Sequence, residues 1–538
     1  MVLAKSLRKY FGHFIKIIVL KQKEMSKNKT LAKNTLFLYF RMFLAMGISL
    51  YSSRIVLRVL GVEDFGIYNL VGGVVVLFSF LNAAMSSTTQ RYINMAFTSK
   101  ILEDVRKVFS TSVNVHVVIS IVIIILSETV GLWFLNYKLN IPDNRMYTAN
   151  VVYQISTITT VLGVLQVPYN AMILAHEKFS FFAILGIFES LSKLAVVAIL
   201  IYFPVNDYLV LYSALIALII ILINTVLYIY CQKKFKKEVE YHNFKDKDLL
   251  KELLTFSSWM LMGQVAVIGA TEGLNMILNI FVGVLVNASM GIALSVNSAV
   301  YSFVSNFQTA FRPQLIQSYA RNELGTHKKM VLNTSKYSFF LMALLSAPVL
   351  FFSNYILTLW LGDSLPPYVG RFVQYLILIS LVDSLSGPFW MSAQAIGNIK
   401  EYNIVITIIN MLVLPLAYLL LYLGFDPVSV IIGRFCISII NQIFRYFFIN
   451  KYLHFENREF VSYLVAILVP FVYLFVLVIF SVDNYKLNFL EFAVGTTIIE
   501  IILLAIFMVF GLSAIDRKIV KKFVEDKINL KLKSNESY

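Results

Sequence analysis

Charge is scarce in this sequence. Only 14% of its 538 residues are charged, against 59% hydrophobic, whereas soluble domains average about a quarter charged. That excludes an ordinary soluble chain and points to an integral membrane protein. Cysteine is nearly missing as well. Cys231 and Cys436 lie far apart beside separate apolar runs, which excludes a disulfide framework and a paired-thiol redox motif. No G-x-x-x-x-G-K-[ST] phosphate loop occurs, so ATP hydrolysis through that fold is excluded. No H-E-x-x-H motif or Cys/His cluster offers a metal site either. We therefore expect no cofactor, no metal and no catalytic residue. Long loops are lacking too: the longest connection between apolar runs is about 20 residues. A glycan polymerase or glycosyltransferase needs more soluble chain than that. No filter-like loop or repeated pore helix is visible, which disfavours a channel.

What the chain does have is apolar segments long enough for a bilayer, about 20 residues each, recurring at a regular beat. They fall near 34–59, 66–96, 108–136, 147–174, 181–203, 208–231, 252–282, 285–317, 334–361, 368–396, 402–423, 427–450, 460–481 and 487–511. None shows the short alternation of an outer-membrane barrel. The expected fold is an all-α polytopic membrane protein with about fourteen transmembrane helices. Residues 1–33 are basic and amphipathic, too short in their apolar core to span and without a cleavage site. They read as an interfacial helix or a start-site extension ahead of Met25, not as a signal peptide.

The net charge of +16 sits mostly in tails and loops, so we read it as cytoplasmic-face placement and not as a nucleic-acid surface. Even-numbered loops carry basic residues such as Lys100, Arg106, Lys107, Lys233, Lys329, Lys400 and Arg458. Odd-numbered loops carry Glu63, Asp64, Asp143, Asp207, Asp363 and Asp426. The positive-inside rule places both termini in the cytoplasm. The basic connection 232–251 divides the apolar run into 34–231 (six helices) and 252–452 (six helices). Residues 459–511 form a further pair, and 512–538 a basic tail.

Two helices carry polar stripes. In the second, Tyr68, Ser79, Asn82, Ser86 and Gln90 fall within an arc of about 80°, which Asn94 widens. In the eighth, Asn297, Tyr301, Ser305, Gln308 and Arg312 share a similar arc. Ser295, Ser298, Ser302, Asn306 and Thr309 spread polarity over about half the circumference. Lipid offers such groups no partners, so these helices are expected to face a bundle interior or a water-filled cavity. The helix so polar all round should be buried on most sides. A weak internal echo links the halves: Gly61-Val62 and Phe65-Gly66-Ile67 answer Gly283-Val284 and Met290-Gly291-Ile292.

The stretch LGVEDFGIYNLVGG (60–73), followed by FSFLNAAMSSTTQRYI (78–93), resembles the early segment of bacterial polysaccharide flippases. These are O-antigen and capsule-repeat transporters of the multidrug/oligosaccharidyl-lipid/polysaccharide exporter superfamily. The resemblance implies two pseudo-symmetric six-helix lobes around a central cavity, with the C-terminal helix pair appended. It matches the repeat logic of alternating-access carriers.

Several charged residues fall within apolar spans, each costing at least about 2.5–3.5 kcal/mol to insert. Arg54 on the first helix, Arg312 on the eighth and Arg434 on the twelfth are read as lining a cationic cavity for an anionic head group. Arginine stays charged and grips phosphate oxygens in pairs. Arg41, Arg58, Arg91 and Arg445 lie near helix ends and read as snorkelling. The twelfth helix aligns Arg434, Ser438, Asn441 and Arg445 along one side. Glu189 and Lys193, four apart, read either as a self-neutralising pair or as a phosphate-facing lysine tuned by its carboxylate.

In the seventh helix Gln264, Glu272, Asn275 and Asn279 form another stripe, and Glu272 has no basic neighbour on its own helix. It is a candidate for ion coupling or a plain hydrogen-bonded glutamate; Asp383 is a weaker candidate of the same kind. His116 is expected to be packed against Ser and Asn neighbours.

The expected function is a flippase moving a polyprenyl-diphosphate-linked oligosaccharide across the bacterial cytoplasmic (inner) membrane. Candidate ligands are Arg54, Arg312, Arg434, Lys193, Asn82, Gln90, Asn297 and Tyr301; the coupling set is Glu272, Asp383 and Glu189. The implied partners are the lipid-linked glycan, the bilayer and a polysaccharide polymerase, with no nucleic acid. The alternatives are a drug/cation antiporter, which would want acidic cavity residues, and a membrane glycan polymerase or acyltransferase.

Overall fold

The computed structural model describes residues 43–512 and 517, apart from 79, 100, 177, 243, 245, 363–364, 398 and 482–486. The basic segment 1–33, Arg41 and the tail beyond 512 other than Arg517 lie outside the described residues. The fold is all-helical. Thirteen helices among the described residues are long and apolar enough to cross a membrane. The first of these, Phe43–Phe78, turns a corner at Gly61, where φ is +79°. It therefore contains α1 (43–60) and the start of α2 (62–78, then Phe80–Ser99), which reconciles thirteen candidates with the expectation of about fourteen helices.

The remaining spans follow in order. In the first half these are α3 (Leu102–Leu126, running through a π turn Ser127–Gly131 to Leu132–Tyr137), α4 (Met146–Leu165 and Val167–Ala175), α5 (Phe179–Tyr202) and α6 (Tyr208–Lys234). In the second half, α7 runs from Lys247–Ile268 through a π turn, Gly269–Gly273, to Leu274–Val282. Then come α8 (Val284–Ala320), α9 (Leu324–Phe351 and Ser353–Leu361), α10 (Val369–Ile396), α11 (Ile399–Met411 and Val413–Tyr422) and α12 (Pro427–Leu453). Finally come α13 (Asn457–Ile479) and α14 (Phe489–Ile506 with the π turn Phe507–Gly511).

Local chemistry sets the boundaries. Asp207, Asp246 and Asp426 accept first-turn N–H groups at the starts of α6, α7 and α12, satisfying donors that lipid could not. Asn488 and Glu491 form a capping box on α14. Gly283, with φ +99°, makes the corner between α7 and α8, repeating the Gly61 corner between α1 and α2. Both are left-handed conformations that a side chain resists. The sequence echo between the halves is thus an echo in backbone geometry.

The loops sort to two ends. At one, Arg145 before α4 bridges Asp64 near the start of α2 (2.6 Å) and Asp207 before α6 (3.1 Å). At the other, His176 after α4 meets Glu238 in the connection after α6 (2.5 Å), and Arg106 at the start of α3 meets Glu240 (2.9 Å). Lys328 after α8 donates to the carbonyl of His454 after α12 (2.9 Å). We call these the acidic and basic ends. In the second half, α10 is the most deeply buried span, packed against α8, α9 and α12. The final pair is fastened to α9, where the Ser335 and Tyr463 hydroxyls lie 2.7 Å apart and Phe340 stacks on Phe507.

The halves meet along α2 and α7. Towards the acidic end the approach is close enough to forbid side chains. A Cβ on Gly66 of α2 would lie 2.2 Å from the carbonyl oxygen of Val284, and one on Gly291 of α8 would lie 2.5 Å from the Asn69 side chain. An asparagine latch reinforces the seam. Asn279 Oδ1 accepts from the Asn140 N–H (2.7 Å), and its Nδ2 donates to the Asn140 carbonyl (3.2 Å) and to Asn287 Oδ1 (2.9 Å). Asn287 in turn donates to Asn275 Oδ1 (2.7 Å). At the basic end the Tyr92 hydroxyl donates to Glu252 (2.9 Å).

Candidate functional site

Helix α8 separates two cavities. The first, about 670 Å³, lies between α1 and α8 beneath the Gly66–Gly291 seam. Its polar wall is Ser49 on α1, Asn69 on α2, and Ser295, Ser298, Ser302 and Asn306 on α8. Among the described residues no charged side chain lines it. Several of these groups donate within their own helix: Ser295 to Gly291, Ser302 to Ala299 and Asn306 to Ser302. Such back-bonding uses the donor and leaves the side-chain oxygen able to accept. The wall is therefore neutral and rich in hydrogen-bonding oxygen.

The second cavity, about 340 Å³, lies inside the second half, between α7, α8, α10, α11 and α12. Asn297 and Tyr301 reach it from the opposite side of α8, and Asp383 from α10. From α12 come Arg434, Ser438, Asn441 and Arg445, one side of the helix at spacings of three and four. Ser438 donates to Asp383 Oδ1 (3.0 Å), Arg445 Nε to the Tyr402 hydroxyl (3.1 Å) and Asn441 to Asn410 (2.9 Å). Arg434 reaches Thr271 at 3.4 Å.

The cavity is under-satisfied. Nη1 of Arg434, Nη1 of Arg445, Oδ1 of Asn297 and Oδ1 of Asn441 are buried without a hydrogen-bond partner among the described residues. A buried unsatisfied polar group costs about 1–3 kcal/mol, more when charged, so this wall favours a ligand that accepts from two guanidinium groups. Asp383 and Glu272 are the carboxylates whose charge acts on Arg434. The basic neighbour that Glu272 lacks on α7 is thus supplied by α12. The other side of Glu272 faces the opposite half: a Cβ on Gly73 of α2 would lie 2.6 Å from its Oε2.

The structure gathers Arg434, Asp383, Asn297 and Tyr301 into one cavity and sets Glu272 beside Arg434. Other candidates fall elsewhere. Arg54 is exposed on α1, and exposed Arg312 donates to Gln394 of α10 (3.1 Å). Gln90 is exposed, while Asn82 is half-buried with its Oδ1 unpartnered. Lys193 and Glu189 pair at 2.7 Å on a half-exposed face of α5, away from both cavities. Tyr68 packs against Tyr212. His116 is buried, its Nδ1 2.7 Å from the Ser112 carbonyl oxygen.

Sequence reasoning missed Arg445, which its place near a helix end made look like a snorkelling residue; its alignment with Arg434, Ser438 and Asn441 was the available signal. The asparagine latch was also missed. Its pattern, Asn275, Asn279 and Asn287 around a glycine corner, carries meaning only once the corner folds back.

No family model matches the chain. A relative among characterised proteomes is the "Uncharacterized membrane protein EpsK" of Bacillus subtilis (strain 168), 22% identical over 326 residues, 60% of this chain and 63% of that protein. The chain thus spans less than two thirds of that protein's length. Among solved structures, an inward-facing multidrug resistance MATE family transporter of the MOP superfamily superposes with a TM-score of 0.62. It is 14% identical and covers 76% of this chain and 95% of its own. The lipid II flippase MurJ, in an inward closed conformation, also gives 0.62, at 15% identity over 88% of this chain and 98% of its own. A MOP superfamily transporter from Pyrococcus furiosus, described as having a binding pocket of reversed polarity, gives 0.57 at 16% identity, covering 79% and 97%. The chain has the fold these proteins share.

Proposed function

We propose that this protein is a transporter that carries a polyprenyl-diphosphate-linked oligosaccharide across the bacterial cytoplasmic membrane by alternating access. The observation that carries the reading is the pair of cavities on the two faces of α8, one neutral and polar, the other holding two buried guanidinium groups with free N–H. A sugar head group cannot cross hydrocarbon because its hydroxyls would lose water without replacement. The oxygens of Ser49, Asn69, Ser295 and Ser298 supply replacements. A diphosphate wants charge-assisted donors, and Arg434 and Arg445 offer them. Asp383 and Glu272 are near enough for their charge to act on Arg434; a phosphate bound at the guanidinium would offset that attraction and favour a proton or cation at a carboxylate, which makes these two the candidates for ion coupling.

In this reading the halves are closed at the acidic end by the glycine seam and asparagine latch, and transport requires that closure to open. The basic end faces the cytoplasm, with both termini, because positively charged loops stay there. A drug/cation antiporter is the weaker reading, since no carboxylate among the described residues lines the larger cavity. The fold is shared equally with a lipid II flippase and a multidrug transporter, so the choice of a lipid-linked cargo rests on the chemistry of the cavities.

The test uses purified protein in vesicles containing a fluorescently labelled polyprenyl-diphosphate sugar. Protein-dependent movement of label to the opposite leaflet is expected, with loss of that movement in Arg434→Ala. Cation or dye exchange without movement of the labelled lipid would reject the reading.

A further inference from the structure

A third recess, about 330 Å³, lies where α9, α13 and α14 meet, outside both cavities. Its rim carries Lys329 and Lys336 from α9 and Arg458 from the first turn of α13, against one carboxylate, Glu459. Seven residues apart, the two lysines stand on one face, about two turns from each other. The rest of the wall is mixed: Asn333, Ser462 and Tyr463 are polar, while Leu332, Ala466, Phe510 and Leu512 are apolar.

Two further features bear on the rim. Glu456 at the N-cap of α13 adds a second carboxylate near it but makes no side-chain hydrogen bond to the first turn, so N–H groups of that turn are left for another acceptor. Beyond α14, Arg517 donates to the carbonyls of Val509 (2.7 Å) and Leu512 (3.2 Å). Those bonds hold a fourth cation beside the wall at Leu512. The recess stands at the basic end, since the chain between α12 and α13 also receives Lys328 there.

We propose that this recess binds the head group of an anionic diacyl phospholipid. The rim selects a phosphate. The outer helix faces select what must be attached to it, because outside the recess α13 and α14 expose Val461, Val465, Leu468 and Val509. A free phosphate ester matches only the rim; a lipid matches rim and outer face together. Basic pockets between transmembrane helices at the end with the basic loops hold anionic head groups for this reason. Bound there, the lipid bridges α9 to the final helix pair. The site is independent of the transported substrate, because none of its residues lines either cavity.

The test is lipid retention by the purified full chain, read by native mass spectrometry after equilibration with mixed phosphatidylglycerol/phosphatidylcholine micelles. Wild type is expected to retain phosphatidylglycerol preferentially. Lys329→Gln, Lys336→Gln and Arg458→Gln should each weaken that preference about fivefold, and the triple change on the order of a hundredfold. The Lys329→Arg/Lys336→Arg protein should keep it. Millimolar glycerol 3-phosphate should not displace the lipid. Should the triple glutamine variant fail to fold, loss of the wild-type preference at high salt reports the same electrostatic contact. Equal retention of both lipids by wild type, an unchanged preference in the folded triple variant, or displacement by glycerol 3-phosphate would overturn the proposal.

Discussion

The two cavities on either side of α8 differ in kind although one helix builds a wall of each. On one face Ser295, Ser298, Ser302 and Asn306 present neutral oxygen and nitrogen to a larger space. On the other, Asn297 and Tyr301 look into a smaller space whose wall also carries Arg434, Arg445 and Asp383. Neutral groups cost little to leave facing a cavity, because any hydroxyl-bearing guest or water satisfies them. Buried guanidinium groups cost far more and persist only with counter-charges, which Asp383 and Glu272 provide. The difference teaches that recognition of a polar surface and recognition of charge can be separated by the thickness of one helix.

The largest expected effect breaks the charged side. Arg434→Ala leaves two carboxylates facing a low-dielectric space and should cost about 3–5 kcal/mol, with loss of transport; Arg434→Lys should recover part of both. Thermal unfolding in detergent and the vesicle assay measure the two. An alanine variant with native stability would mean that the charged cavity is not charged in the way described.

Next come changes at the roof of the neutral side. Gly66→Ala should destabilise by about 1–3 kcal/mol, since its new Cβ meets the Val284 backbone of the opposite half, and Gly291→Ala by less, since its Cβ meets only the Asn69 side chain, which can turn aside. Gly72→Ala, with nothing within 4 Å of its Cβ, should be neutral or gain up to about 1 kcal/mol of helix propensity. Asn279→Ala strips the Asn140 backbone of its partner and should cost about 1–3 kcal/mol. Faster amide exchange at residues 138–141 would register it.

A carboxylate paired with a guanidinium sharpens the contrast with the under-satisfied cavity. Burial alone would raise the Asp207 carboxyl, but Thr148, Arg145 and the Val210 N–H hold it below its ordinary value of 3.8. A depressed folded value means its contribution to stability is present above about pH 4 and is lost as pH falls through the folded value. Asp207→Asn should flatten the acid limb of a stability–pH curve there. The smallest effect belongs to the neutral wall: Ser298→Ala should change transport by a few-fold at most, since one hydrogen bond among several is worth about 0.5–1.5 kcal/mol.

Much of this was legible in the sequence, and the reasons are local. The doubled polarity of α8 was readable as a helix buried on most sides, and it proves to be a partition with a cavity on each face. The Gly61 and Gly283 echo was readable because a left-handed corner needs glycine wherever it occurs. Other features were not legible. Glu272 looked solitary because its partner, Arg434, comes from a helix far along the chain. Arg54 and Arg312 stood out by position within their spans; both are exposed and line neither of the two cavities, and position along a helix does not say which arc faces which space.

The sequence by itself determined that this chain is helical, that its helices are long and apolar, and that a few carry polar faces, because hydropathy and helical period act along the chain. Which polar face meets which, which charges neutralise each other and where the halves touch too closely for a side chain were decided only by tertiary structure. Those relations join groups remote in sequence, and a buried charge takes its meaning from neighbours at a few ångströms, whichever helix delivers them.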